Sequence, residues 1–128
     1  MLHILLVEDY LPLARLLNLD LAEMGYQVST CQTGETALEA LELLTPDLVL
    51  LDWRLPGMSG LEVCRQFRRA GYNRPILFVT AMAEAANVRA GLAAGADDYL
   101  IKPFTPQALL RSIAYYLNPA IQEDSPAA

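Results

Sequence analysis

Four stretches of this chain are apolar at every position: Ile4-Leu5-Leu6-Val7, Leu48-Val49-Leu50-Leu51, Ile76-Leu77-Phe78-Val79 and Tyr99-Leu100-Ile101. A strand with one wet face alternates. Continuous runs this short instead describe strands covered on both faces, as in a parallel sheet between two layers of helix. A fifth run, from Tyr26 to Thr30, does alternate, with Tyr26, Val28 and Thr30 separated by Gln27 and Ser29. That pattern predicts a wetter place at a sheet edge.

Between the runs lie five segments of helical periodicity, each with its own punctuation. Residues 11–24 carry an apolar stripe of Leu13, Leu16, Leu17, Leu21 and Met24 and halt at Gly25. Thr33 is placed to cap a helix running to about Leu44, ahead of Pro46. Ser59 with Glu62 reads as a capping box for a helix to about Ala70. Glu84 to about Ala94 makes a weaker helix, because Gly91 inside it costs about 1 kcal/mol relative to alanine and should keep it soft. Thr105 followed by Pro106 opens a last helix to about Leu117. Residues 118–128 are polar, acidic and proline-containing, and read as a flexible C-terminal tail or linker after one domain over 1–117.

Five strand–helix units with right-handed crossovers make an α/β fold, a doubly wound three-layer sandwich. With the alternating second strand at an edge, the five-stranded parallel sheet takes the order 2-1-3-4-5 with five helices, a flavodoxin-like arrangement. Ligands of such sheets bind beyond the carboxyl ends of the strands, at the switch point flanked by strands one and three.

Those ends carry the chemistry. Strand one ends in Glu8-Asp9, strand three in Asp52, strand four in Thr80, and strand five in Lys102, the one lysine in a chain with eight arginines. An ammonium on a flexible stem acts on one oxygen as a point charge, where a guanidinium presents a planar fork. Three carboxylates gathered at one point repel each other and call for a counter-charge. Mg2+ fits, since it takes one or two carboxylates together with waters and phosphate oxygens. Zinc does not, with no His or Cys nearby. Carboxylate, hydroxyl, ammonium and metal form a clamp for a phosphoryl group, and an ionised aspartate is a nucleophile that needs no general base. Singly, each residue has a plainer explanation: Thr80 as a helix cap, Glu8 and Asp9 as solvated loop residues, Lys102 as a surface charge. Their coincidence at four strand ends favours the phosphoryl site.

Composition narrows the partners. A net charge of −6 disfavours direct contact with nucleic acid or an anionic membrane, and the one basic cluster, Arg65, Arg68 and Arg69, reads as a solvated helix face. No apolar stretch approaches the roughly 20 residues of a membrane span, and the N-terminus has no signal-peptide pattern, so a cytoplasmic protein is expected. Cys31 and Cys64 read as buried free thiols.

The acidic pair Glu8-Asp9, Asp52 followed by Pro56-Gly57-Met58-Ser59-Gly60, Thr80-Ala81, and Lys102-Pro103-Phe104 resemble the receiver domain of two-component response regulators, over about residues 2–117. The resemblance implies that Asp52 is the phosphoacceptor and that Asp9 binds Mg2+ directly. Glu8 would bind it through water, and the backbone carbonyl of Arg54 would be a further ligand. Thr80 and Lys102 would hold the phosphoryl oxygens, and the Lys102–Pro103 peptide would be cis. Tyr99 would be the switch aromatic, turning inward as Thr80 moves and reshaping the surface of helix four, strand five and helix five. The implied function is a phosphorylation-dependent signalling switch, an enzyme only toward its own phosphorylation and slow autodephosphorylation. Its partners would be a sensor histidine kinase or phosphotransfer protein and a downstream effector protein or domain.

The sequence departs from the family pattern in three places. Trp53 stands where a smaller apolar residue is more usual, and Arg54 and Met82 occupy positions that tune phosphoryl lifetime. The run Gly95 to Leu100 resembles a subgroup that dimerises through helix four, strand five and helix five. Its cross-dimer charges fall here on Val88, Ala108 and Ser112, leaving Asp98 without its usual partners. A homodimer would then rest on Leu110, Tyr115 or Tyr116, or the face meets another partner. Eleven residues follow Leu117, which suits a stand-alone receiver or one cut from a longer DNA-binding transcription regulator. Two other functions fit the fold. A haloacid-dehalogenase-like phosphatase would want a second aspartate where Arg54 stands. A flavin binder would want a Ser/Thr/Gly-rich loop where Glu8-Asp9-Tyr10-Leu11-Pro12 stands. A degenerate receiver would have lost key residues that are present here.

Overall fold

Residues 1–118 are described by a computed structural model in which strands and helices alternate along the chain. The strands are β1 (His3–Val7), β2 (Gln27–Cys31), β3 (Leu48–Leu51), β4 (Ile76–Thr80) and β5 (Asp98–Ile101). The helices are α1 (Leu11–Glu23), α2 (Gly34–Leu44), α3 (Gly60–Arg69), α4 (Ala85–Ala93) and α5 (Pro106–Leu117). Every strand pair is parallel, and the order is β2-β1-β3-β4-β5, as the edge argument requires. The tail expected over 118–128 lies, beyond Asn118, outside the described residues.

Period-two geometry sends alternate residues of each strand into two cores. Leu5, Val7, Val49, Leu51, Ile76 and Phe78 meet Ala37 and Leu41 of α2 and Val63, Cys64 and Phe67 of α3. Ile4, Leu6, Leu48, Leu50, Leu77 and Val79 meet Ala14, Leu17 and Leu21 of α1 and Leu109 and Ile113 of α5. Ile4–Val7, Leu48–Leu51 and Ile76–Val79 of the three inner strands are therefore unbroken apolar runs, because both faces are covered. Each large side chain buried in full contributes about 1.5–3 kcal/mol.

Registers level the strand ends. Val7 pairs with Leu51, Leu51 with Phe78, and Phe78 with Tyr99, so Glu8 and Asp52 leave the sheet side by side. The amide of Asp52 donates to the carbonyl of Val7 at 3.0 Å, and that of Lys102 to the carbonyl of Thr80 at 2.9 Å. The Lys102–Pro103 peptide is cis.

Caps account for most helix starts. The hydroxyls of Thr33, Ser59 and Thr105 accept the amides of Thr36, Glu62 and Ala108. Only half of the expected capping box forms, because the Glu62 carboxylate turns outward to Gln66, Arg65 and Arg69. Four further expectations need correction. The second strand starts one residue late, since Tyr26 donates its amide to Leu21 and belongs to the turn that ends α1 at Gly25, φ +92°. The buried stripe of α1 is Ala14, Leu17 and Leu21; Leu16 and Met24 point to solvent, because leucines surround this helix on more than one face. β5 is half-buried rather than covered, being the second edge of the sheet.

Arg68 is the fourth correction. It is not a solvated cation: its guanidinium donates to the carbonyls of Gly95, Tyr72 and Arg74 and to the Asp97 carboxylate. Asp97 in turn accepts the amide of Ile76. Arg68 thus ties α3 to the turns that lead into β4 and β5. Both cysteines are free thiols, Cys64 buried and Cys31 half-buried.

Candidate functional site

Glu8, Asp9 and Asp52 converge beyond the carboxyl ends of β1 and β3, with one oxygen from each lying within 4.8 Å of the others. Glu8 is fully buried, Asp52 nearly so, and Asp9 is exposed at the mouth. The Lys102 ammonium reaches in from the end of β5 and bridges two of them, 2.6 Å from Glu8 Oε1 and 2.9 Å from Asp52 Oδ2. A single lysine here neutralises two buried carboxylates that would otherwise face each other across the switch point. Burial pushes the Glu8 carboxyl above its ordinary range, opposed by its hydrogen bond from Lys102. Burial pulls on the Lys102 ammonium in the opposite sense, but its bonds to Glu8 and Asp52 outweigh this and hold its pKa above the usual value.

The loop after β3 completes the cradle. The Arg54 amide donates to Asp52 Oδ1 at 3.3 Å, so the peptide following Trp53 is folded against the carboxylate. Gly60, the first residue of α3, donates its amide to the carbonyl of Trp53 at 2.8 Å. A Cβ at position 60 would stand 2.0 Å from the Asp52 carbonyl oxygen, so only glycine lets α3 begin this close to the acceptor strand.

Thr80 is buried at the end of β4, and its hydroxyl oxygen accepts the Met82 amide at 3.3 Å rather than reaching Asp52. Tyr99 lies half-buried on β5, its ring 5.6 Å from Phe78 and 6.4 Å from Trp53 between centroids. Its hydroxyl donates to the Met82 carbonyl at 2.6 Å. Burial and then the Asp52 charge raise its pKa. Met82 is thus bonded to both Thr80 and Tyr99, and its sulfur accepts the Arg54 Nε–H at 3.2 Å. No local signal in the sequence marks Met82 as this junction, because two of its three partners, Arg54 and Tyr99, come from other strand ends.

The donor set suits a hard divalent cation. Among the described residues this is the cluster of potential metal-binding side chains, and all its donors are oxygens. Every buried side-chain nitrogen and oxygen among these residues has a hydrogen-bond partner, so the pocket holds its charges without an orphan. On the face of α4, β5 and α5, Leu110 and Tyr116 pack against the domain's own core, and the Tyr116 hydroxyl donates to the Asp97 carbonyl. Both remain half-buried, so each keeps part of its side chain on that face. No helix among the described residues is long and apolar enough to cross a membrane.

Comparison with known proteins agrees with this geometry. The sequence model of the response regulator receiver domain matches residues 4–114. The DNA-binding response regulator MtrA of Mycolicibacterium smegmatis is 43% identical over 125 residues, covering 98% of this chain and 54% of the relative. The phosphate regulon transcriptional regulatory protein PhoB of Rhizobium meliloti is 40% identical over 122 residues, covering 94% and 54%. The chain spans about half the length of these curated relatives. Among solved structures, the beryllofluoride-activated N-terminal receiver domain of Klebsiella pneumoniae RstA superposes with a TM-score of 0.86 at 33% identity, covering 91% of this chain and 98% of that one.

Proposed function

The chain belongs to the response regulator receiver domain family, and from that premise we propose that it is a phosphorylation-dependent signalling switch with Asp52 as its phosphoacceptor. The observation that carries the reading is the Lys102 ammonium held between Glu8 and Asp52, with Asp9 completing the acidic cluster. An Asp52 carboxylate oxygen attacks the phosphorus of a phosphohistidine on a sensor kinase or phosphotransfer protein. The oxygen–phosphorus bond forms as the nitrogen–phosphorus bond breaks, and that electron pair returns to the imidazole. Glu8, Asp9, Asp52 and the Arg54 carbonyl would hold Mg2+, which when bound supplies positive charge to the phosphoryl oxygens. Lys102 exchanges part of its bond to Asp52 for a phosphoryl oxygen, and the Thr80 hydroxyl leaves the Met82 amide to donate to another.

That exchange supplies the output. Met82 is bonded at its amide to Thr80 and at its carbonyl to Tyr99, so displacement of Thr80 perturbs the seat of the ring. The α4-β5-α5 surface changes in consequence, as a two-state element biased by a local charge. The relatives' names and their greater length support a receiver whose effector is the DNA-binding part of a longer cytoplasmic transcription regulator. A phosphatase acting on outside substrates is disfavoured, since the side chain two residues after Asp52 is Arg54, engaged with Met82.

Intact mass after incubation with acetyl phosphate and Mg2+ tests this. One phosphoryl group gained by wild type and none by Asp52→Ala is the expected result. Equal uptake by both, or steady release of phosphate from many phosphomonoesters, would overturn it.

A further inference from the structure

Gly91 is the one residue of α4 that is buried. The helix therefore has no large side chain anchoring it in the core and touches the sheet through a glycine. A Cβ built there would lie 3.1 Å from Phe78 Cδ2 and 3.1 Å from both Cδ2 and Cε2 of Tyr99. Carbon atoms pack at about 3.5–4.0 Å, so an alanine methyl and the two rings cannot all keep their present places. Phe78 is fully buried in the middle of the sheet and has nowhere to go. Tyr99, half-exposed on the edge strand, is held by its neighbouring rings and the Met82 carbonyl. It is the ring that must yield.

We propose that Gly91 is the positioning residue through which α4 reads the Tyr99 ring: helix and ring share one space, and a Cβ at 91 would make one of them give way. Moving the ring removes the surface on which α4 sits, and moving α4 frees the ring. The inference rests on the reading of Tyr99 as the switch residue, but the steric contact has consequences of its own. A substitution at 91 should act without any phosphoryl group present, and only while the Tyr99 ring is there.

The test uses the full chain as wild type, Gly91→Ala, Tyr99→Ala and the double variant. Trp53 is the single tryptophan and lies against Tyr99, so its emission reports the ring. Hydrogen exchange over residues 85–93 reports the helix. Without any phosphoryl mimic, Gly91→Ala should shift the Trp53 emission and lose α4 protection, although alanine is the better helix former. On the Tyr99→Ala background the same substitution should leave the emission unchanged and no longer cost α4 protection. The inference fails if Gly91→Ala matches wild type in both readouts, or if its effect is as large without the ring as with it. If Gly91→Ala folds poorly, the double variant should regain a wild-type-like melting curve; a double variant that stays unfolded would place the obstacle at Phe78 and overturn the inference. Beryllofluoride with Mg2+ forms the separate arm: α4 protection unchanged in wild type would sink the switch reading, while the emission arm still decides the contact.

Discussion

Replacing Lys102 with methionine removes the one cation that bridges two buried carboxylates. The stem volume is kept, so the loss is electrostatic. Glu8 is fully buried, and the Lys102 side chain is 22% exposed. Breaking a buried pair by deleting one partner costs about 3–5 kcal/mol, and the partial exposure argues for the lower figure. A chain of 128 residues unfolds with an entropy near 0.27 kcal/mol/K, so about 3 kcal/mol corresponds to a fall in Tm of about 10 °C. The folded-state pKa of Lys102 is raised above 10.5, so its contribution is complete below that pH and is lost only as the pH climbs through the folded value. Mg2+ should close part of the gap, because the variant's pocket is more negative and gains more from the ion. Wild type at 100 times its dissociation constant would gain about 2.7 kcal/mol, and the variant should exceed it at equal concentration. Thermal melts of both proteins in EDTA and in excess Mg2+ at neutral pH provide the assay. Equal melting temperatures in EDTA, or equal stabilisation by Mg2+, would refute the claim that Lys102 serves as the pocket's counter-charge.

Three further outcomes follow from single contacts. Gly60→Ala puts a methyl 2.0 Å from a backbone oxygen that cannot yield, so urea unfolding should show a loss of about 3 kcal/mol, accompanied by slower phosphoryl uptake at the displaced Asp52. Arg54→Asn removes the arm that reaches Met82 across the flank of the pocket; water then has freer access, and the phosphoryl half-life should shorten, which a decay series by phosphate-affinity gel would measure. Burial raises the Cys64 thiol from 9.0 to about 11, so its contribution to stability is present below pH 9 and fades by about 3 kcal/mol as pH rises through 11. Alkylation of Cys64 in the folded protein should stay negligible at pH 9, and a rate matching that of the unfolded chain there would contradict this.

Much of this architecture was legible because strand burial leaves a one-dimensional trace. Ile4–Val7, Leu48–Leu51 and Ile76–Val79 are covered on both faces and read as unbroken apolar runs. β2 shows its edge position through Gln27 and Ser29, and that one clue set the strand order. The site was legible for a related reason: in a parallel sheet the residues that end the strands must meet, so Glu8, Asp52, Thr80 and Lys102 could be grouped without coordinates. What escaped were contacts fixed by tertiary approach. Arg68 stands in a run of arginines and resembles its neighbours, yet its partners Gly95 and Asp97 lie 27 and 29 residues away. Gly91 advertises a propensity cost in the sequence, whereas its packing against Phe78 and Tyr99 depends on how closely α4 lies on the sheet. Tyr99 and Ile101 resemble core residues in composition but occupy an edge, where β5 has no further strand to cover it.

The account stands on one covalent bond, between an Asp52 oxygen and phosphorus. Borohydride reduction of the acetyl-phosphate-treated protein, followed by peptide mass spectrometry, reads that bond directly, since an acyl phosphate is reduced to the alcohol. Homoserine at position 52, dependent on Mg2+ and absent at Glu8 and Asp9, is the predicted result. Reduction at either of those carboxylates, or none anywhere in a protein that has gained a phosphoryl group, would contradict it.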